Sequence, residues 1–492
     1  MAEATAGDRQ QQAGQGKLQA GLKRRHMTMI SLGGIIGAGL FVGTGPILNQ
    51  AGPATILTYL LTGTLLILIM RMLGEMAVAR PSVGSFSDYG RVALGNWAGF
   101  AIGWLYWYFW AIVVGFEATV AAGILSQYIG GIPPWVMALA LVLLLTATNL
   151  YSVGSYGEFE FWFAGIKVVA ILLFIGFGAL FVIGLWPGES SPGLTNLYAE
   201  GGFFPNGPLA MFSGVATVIF AFVGAEIVTI AAAESDEPGR NVARATNAVI
   251  YRVLLFYVIS VFFVAAIVPW DTAFTENVIK SPFTLAFREM GIPYAPLIMN
   301  FVVLTAVLSV LNSSLYTTSR MLFALTRHKD APGFLTNTTR RGVPIWAILA
   351  GTFFAYVSVA IFYFFPEEIF TWLINASGAI ALFVYLLIAV SQLVMRRRLE
   401  RDNPELLQLR MWFYPWLTYL SIFGILAVLI AMFFIEGLRP QIIASLISLG
   451  VIMIAYALRR AFGPPERDPS AVINEEATAR EEAAREEAAR GN

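Results

Sequence analysis

Three ionisable side chains, Glu117, Lys167 and Glu226, lie deep inside long apolar runs, where no bulk water solvates a charge. In a bilayer each costs about 2.5–3.5 kcal/mol at a helix centre, so each must face protein or a wet cavity. Groups kept in such places suit one chemistry above all, the uptake and release of a proton or ion. Lys167 is the most informative of them. A lysine at that depth can load and release a proton, or supply the positive charge that a bound sodium ion would bring. Equally, it can brace the backbone carbonyls of an interrupted helix. Glu226 can accept a hydrogen bond from such a helix or shuttle a proton. Glu117 reads first as a structural hydrogen-bonding group, and otherwise as a polar group of a cavity.

Two irregular segments accompany these residues. Gly33-Gly34-Ile35-Ile36-Gly37-Ala38-Gly39 interrupts the first apolar run, and Phe220-Ala221-Phe222-Val223-Gly224-Ala225-Glu226 lies within the sixth. The Gly33/Gly37 and Gly39/Gly43 spacings would let two helices approach closely. The glycines surround the helix instead of forming one stripe, however, and that density favours an unwound segment. Unwound backbone at membrane depth is tolerated only where it is buried in protein or lines a cavity. Its freed N–H groups and the half-helix dipole then attract an anion, such as a substrate carboxylate. Phe220, beside the second break, can close over a bound molecule. The aromatic run Trp104-Leu105-Tyr106-Trp107-Tyr108-Phe109-Trp110 reaches too far inward to be an interfacial belt alone. Part of it is expected to line or seal a cavity.

The elements that position these residues are membrane helices. Of 492 residues, 57% are hydrophobic and 13% charged, far below the charge content of a soluble domain. Windows of about 20 apolar residues give twelve spans at 28–49, 52–75, 97–124, 134–152, 160–184, 208–233, 247–268, 294–325, 344–364, 369–395, 413–435 and 440–460. Interrupted helices five spans apart suggest a five-plus-five inverted repeat. The expected fold is therefore an all-α membrane protein of twelve transmembrane helices, with broken helices 1 and 6 and two peripheral helices. The domain limits are 1–25 for an N-terminal tail, 26–186 and 187–398 for the two repeats, 399–462 for helices 11 and 12, and 463–492 for a charged tail. That tail repeats Ala-Arg-Glu-Glu-Ala and reads as a solvated, frayed segment.

With both termini cytoplasmic, 27 of the 31 Lys and Arg fall inside, only Lys280, Arg288 and Arg439 fall outside, and Lys167 lies within a span. Reversing the topology would destroy this asymmetry. The polar first 25 residues and the long first apolar run leave no place for a cleavable signal peptide. Cysteine is absent, and the two histidines, His26 and His328, sit in charged segments that read as loops. Thiolate or histidine metal sites and a membrane nucleophile with its base are thereby excluded, and with them most enzyme chemistry. A channel would need a continuous polar filter, whereas paired breaks favour alternating access. Arg71 and Glu75, four residues apart, read as a structural ion pair.

At these residues the chain resembles the bacterial amino-acid permeases of the amino acid/polyamine/organocation superfamily. The matching stretches are Ile35-Ile36-Gly37-Ala38-Gly39-Leu40-Phe41, Ser155-Tyr156-Gly157-Glu158-Phe159-Glu160-Phe161-Trp162, Asn312-Ser313-Ser314-Leu315-Tyr316 and Ser377-Gly378-Ala379-Ile380-Ala381. Gly224 to Asp236 and Gly103-Trp104-Leu105-Tyr106-Trp107 look most like the γ-aminobutyrate branch. The resemblance implies proton-coupled uptake of an amino acid at the bacterial cytoplasmic membrane, by symport or exchange. It places the substrate carboxylate on the backbone of Gly37, Ala38 and Gly39, and the amine on the carbonyls of Ile35, Phe220, Ala221 and Val223. It makes Phe220 a gate and Lys167 the stand-in for the sodium ion of sodium-coupled relatives. Many relatives carry serine or threonine in the first break, so Ala38 leaves this cradle to its amides. No cofactor, metal or nucleic acid is expected; the partners are an amino acid, a proton, with its gradient as the energy source, and the lipid bilayer.

Overall fold

A computed structural model of the chain describes residues 25–26, 29, 36–82, 84–151, 153–233, 238–272, 281–339, 343–366, 369–466, 468 and 478. The N-terminal tail to residue 24, the repeated C-terminal tail apart from residue 478, and Gly33, Gly34 and Ile35 of the first break lie outside these residues. Among the described residues all regular structure is helical. The first span is described as α1 (Ala38–Phe41) and α2 (Thr44–Ala51). Next come α3 (Thr55–Ala79), the short α4 (Ser85–Leu94), α5 (Asn96–Leu125), α6 (Pro134–Tyr151) and α7 (Val153–Val182). The sixth span is divided into α8 (Ala210–Ser213), α9 (Val215–Phe222) and α10 (Ile227–Ala233). The seventh runs through α11 (Pro238–Arg252), a π-turn at Val253–Ile259 and α12 (Ser260–Ile267). After α13 (Pro282–Glu289) follow α14 (Ala295–Arg327), α15 (Ile345–Phe364), α16 (Ile369–Ser377), α17 (Ile380–Asp402), α18 (Trp416–Phe434) and α19 (Arg439–Phe462).

Eleven segments among the described residues are long and apolar enough to cross a bilayer, and the first, Ala38–Ala79, joins the first two expected spans. The twelve-helix reading therefore holds. The third helices of the two halves, α5 and α14, pack along each other at the centre. Their most apolar windows are 78% and 67% buried, against 28% and 11% for α18 and α19, which is how the last two helices come to be peripheral. Helix α7 buries only 28% of its window, but does so along one stripe. Tyr156, Glu160, Ala164, Lys167, Ile171 and Phe174 recur at helical spacing and are all buried. Glu160 and Lys167 are thus turned inward together.

One expected span is corrected. The tenth, read as continuous over 369–395, is interrupted between α16 and α17 at Gly378 and Ala379. The interruption is buried against α19, where the Ala379 amide donates to Ser445 Oγ at 3.0 Å and a side chain on Gly378 would collide with Gln441. A neighbouring helix thus satisfies the freed backbone, as hydrocarbon cannot.

Candidate functional site

The sixth-span break is built by three residues. Helix α9 ends at Phe222, Val223 turns extended (φ −61°, ψ 138°), and Gly224 takes φ 111°, a conformation that a side chain would strain. The carboxylate of Glu226 then accepts from the Gly224 amide, with its oxygens at 3.2 and 3.3 Å. Tyr106 of α5 donates to the same carboxylate at 2.9 Å and Tyr385 of α17 at 3.0 Å. Glu226, fully buried, therefore holds the break closed to lipid and links it to two other spans. One tyrosine of the aromatic run thereby acquires a specific task.

The described part of the first break lies against it. Ile36 is non-helical, Gly37 is extended, and α1 begins at Ala38, all three residues being buried. A Cβ on Gly39 would stand 2.8 Å from Ala221 Cα, so the two broken helices meet backbone to backbone here. Lys167 reaches across from α7: its Nζ donates to the Ile36 carbonyl at 2.9 Å and to Ser309 Oγ of α14 at 2.7 Å. Ser309 in turn donates to Glu160 at 2.6 Å, and Ser313 to its other oxygen at 3.2 Å. Sequence reasoning missed Glu160, because a span starting there placed it at the membrane edge. Helix α7 begins two turns earlier, and the seven-residue step to Lys167 puts both on one face.

Gly37, Gly39, Phe109, Trp110, Val113, Glu117, Phe220, Ala221, Val223 and Val310 enclose one narrow cavity. Part of the aromatic run therefore does line a cavity. Phe220 packs edge to face on Phe109 and Phe116, with centroids 6.0 and 5.8 Å apart, beside the sixth-span break. Glu117 is buried, and its Oε2 has no hydrogen-bond partner. Two of the carbonyls expected to receive an amine are already engaged. The Val223 amide approaches the Phe220 carbonyl at 3.3 Å, and the Tyr257 hydroxyl donates to the Ala221 carbonyl at 3.2 Å. Ile35 lies outside the described residues. A larger groove, which includes Phe161, Leu173 and Phe301, has no charged side chain among its described lining residues to orient an amino acid.

Arg252 was also not anticipated as a buried group. It lies at the end of α11 just before the π-turn, is 1% exposed, and its Nε and Nη2 have no partner. It lies within electrostatic range of Glu226. The expected Arg71–Glu75 pair is replaced. Arg71 donates to the Arg410 carbonyl at 2.8 Å and to Asn247 at 3.0 Å, while Glu75 pairs with Arg396 at 2.5 Å and accepts from Gln392 at 2.8 Å. Long-range partners outcompete the neighbour one turn away.

Both histidines are buried, not set in open loops. His26 lies 3.2 Å from Glu158, and His328 Nε2 lies 2.7 Å from Asp88 Oδ1, which belongs to α4. Ser82 donates to Asp88, and Arg91 pairs with Asp330. Arg459 of α19 also pairs with Asp330, at 3.0 Å. Burial works to raise the Asp88 carboxyl, but His328, Ser82 and Arg91 together hold it below the ordinary carboxylate range. This cluster ties α4, the end of α14 and the last helix together at one end of the bundle.

The amino acid permease family model matches residues 26–465. The chain is 50% identical over 446 residues to the gamma-aminobutyric acid permease of Bacillus subtilis, covering 91% of this chain and 94% of that protein. It is 48% identical over 445 residues to the gamma-aminobutyric acid permease of Escherichia coli, covering 90% and 95%. It is 40% identical over 438 residues to the aromatic amino acid transport protein AroP of Corynebacterium glutamicum, covering 89% and 94%. With its broken helices and apolar spans, the chain belongs to the amino acid permease family, multi-pass membrane proteins that transport amino acids.

Proposed function

We propose that this permease takes up γ-aminobutyrate across the bacterial cytoplasmic membrane, coupled to protons, with both termini in the cytoplasm. The observation that carries the reading is the buried Lys167 bonded to both the Ile36 carbonyl and Ser309. An ammonium there holds the first break against α14, and its proton can leave without a metal ion being needed. The substrate carboxylate rests on the amides of Gly37, Ala38 and Gly39, and Phe220 closes behind it. An amine held close to this cradle would have the Val223 carbonyl, together with whatever capacity remains on Phe220, Ala221 and Ile35. Glu226, buried at the sixth-span break, is the second group assigned a share in proton movement. The names of the two γ-aminobutyrate permeases at about half identity support the substrate.

A proton moving down about 100 mV releases about 2.3 kcal/mol, enough to concentrate a neutral zwitterion about fifty-fold. Proteoliposomes without internal substrate, given an alkaline interior, should accumulate labelled γ-aminobutyrate and lose it on adding a protonophore. Uptake that needs internal amino acid and ignores the pH gradient would mean exchange. Competition by unlabelled α-, β- and γ-amino acids ranks the substrates.

A further inference from the structure

We propose that Glu117 is the substrate site's distal anchor: its carboxylate receives the terminal ammonium of an ω-amino acid and thereby selects for separated charges. The inference rests on the substrate class proposed above. Three buried carboxylates surround the two breaks, and two of them are occupied. Glu226 accepts from two tyrosines and the Gly224 amide. Glu160 accepts from Ser309 and Ser313. Glu117 alone of the three lines the cavity, is 3% exposed, and keeps an oxygen without a partner. A buried acceptor left unmet is costly, so a donor that arrives with the substrate has an energetic reason to bind there.

The rest of the cavity wall points the same way. The carbonyls nearest the first break, those of Phe220 and Ala221, already accept from the Val223 amide and the Tyr257 hydroxyl. An ammonium next to a carboxylate, as in an α-amino acid, would have to compete for them. In γ-aminobutyrate three methylenes separate the two charges, and the ammonium can pass along Val113 and Phe220 to the third span instead. Those apolar walls suit the methylenes, and the carboxylate at their end suits the cation. The arrangement also disfavours a substrate lacking the distal ammonium, because the buried Glu117 Oε2 would stay without a donor.

The test measures binding to purified protein by competition against labelled γ-aminobutyrate. The panel is L-alanine, β-alanine, γ-aminobutyrate, 5-aminovalerate and butyrate. Wild type should bind γ-aminobutyrate well ahead of L-alanine and butyrate. Should it bind L-alanine best, the substrate reading fails and this proposal with it. Given the expected wild-type order, Glu117→Gln should weaken γ-aminobutyrate by about 30-fold, the loss of one charged hydrogen bond. L-Alanine and butyrate, measured through their own displacement curves, should shift less than about 3-fold. Glu117→Asp draws the carboxylate back by one methylene and should move the optimum towards 5-aminovalerate. An equal loss for every ligand, or unchanged γ-aminobutyrate affinity in Glu117→Gln, overturns the role of Glu117 and leaves the substrate reading intact. If Glu117→Gln does not fold, the chain-length shift in Glu117→Asp decides, and no shift overturns the proposal.

Discussion

The buried side chains of this permease differ chiefly in whether their hydrogen-bonding needs are already met. Glu226 and Glu160 are saturated by hydroxyls and an amide, whereas Glu117 is not. Lys167 stands between these cases, bonded to one carbonyl and one hydroxyl on different spans. Under the proposed coupling, Lys167→Ala should abolish accumulation driven by a pH gradient while leaving measurable binding of γ-aminobutyrate. Wild-type accumulation by that variant would remove Lys167 from proton coupling. Lys167 and Glu117 were legible in the sequence because a charge in an apolar run is conspicuous. Glu160 and Arg252 were not, since each sits near a span end in the hydropathy pattern and only the true helix length shows it buried. The partners of Glu160 lie far off in the chain, and spacing alone cannot find those.

At the level of elements, glycine marks three interruptions, but each is stabilised differently. Gly224 is held by a carboxylate two residues on, and Ala379, next to Gly378, by a serine of the last helix. The first break is braced by Lys167 at the Ile36 carbonyl. The first two breaks could be read from glycine density and a nearby charge. The third could not, because a single glycine in an apolar span is ordinary and Ser445 is more than sixty residues away. Contact between α1 and α9 at Gly39 and Ala221 leaves no space for a methyl group. Gly39→Val should push the breaks apart and weaken γ-aminobutyrate binding at least about 10-fold, with a smaller effect on thermal stability. Binding within a factor of two of wild type would show that the breaks need not touch.

The whole molecule is closed at one end by the cluster around Asp88, His328, Asp330 and Arg459. A carboxyl held below its unfolded value adds stability above the ordinary carboxylate range, and this is lost as pH falls towards the lowered value. Wild-type protein in detergent should therefore lose thermal stability as pH drops below about 4. Asp88→Asn should be less stable by about 3 kcal/mol at neutral pH, having lost the buried carboxylate that accepts from Ser82 and faces Arg91 and His328. It should also show a flatter acid limb; equal slopes for the two proteins would exclude Asp88 as the source. The twelve spans and their division into halves follow from hydropathy and the paired breaks, because length and apolarity suffice to define a crossing. This clasp did not, since loops rich in charge look solvated in a sequence whether or not they fold inward.

Between Ile36 and Gly39 the stretch presents to the cavity only the main chain of Gly37 and Gly39. If it cradles the constant carboxylate, a scan by alanine replacement would delete nothing there and would overlook half of the recognition surface. Ester substitution of individual amides by semisynthesis would be needed to reveal it. Such a division of labour would also shape how preferences evolve: the invariant end of the ligand would be read by the polypeptide itself, while its variable end would meet exchangeable side chains. A lineage can then acquire a new cargo by single replacements in the third span without rebuilding the cradle.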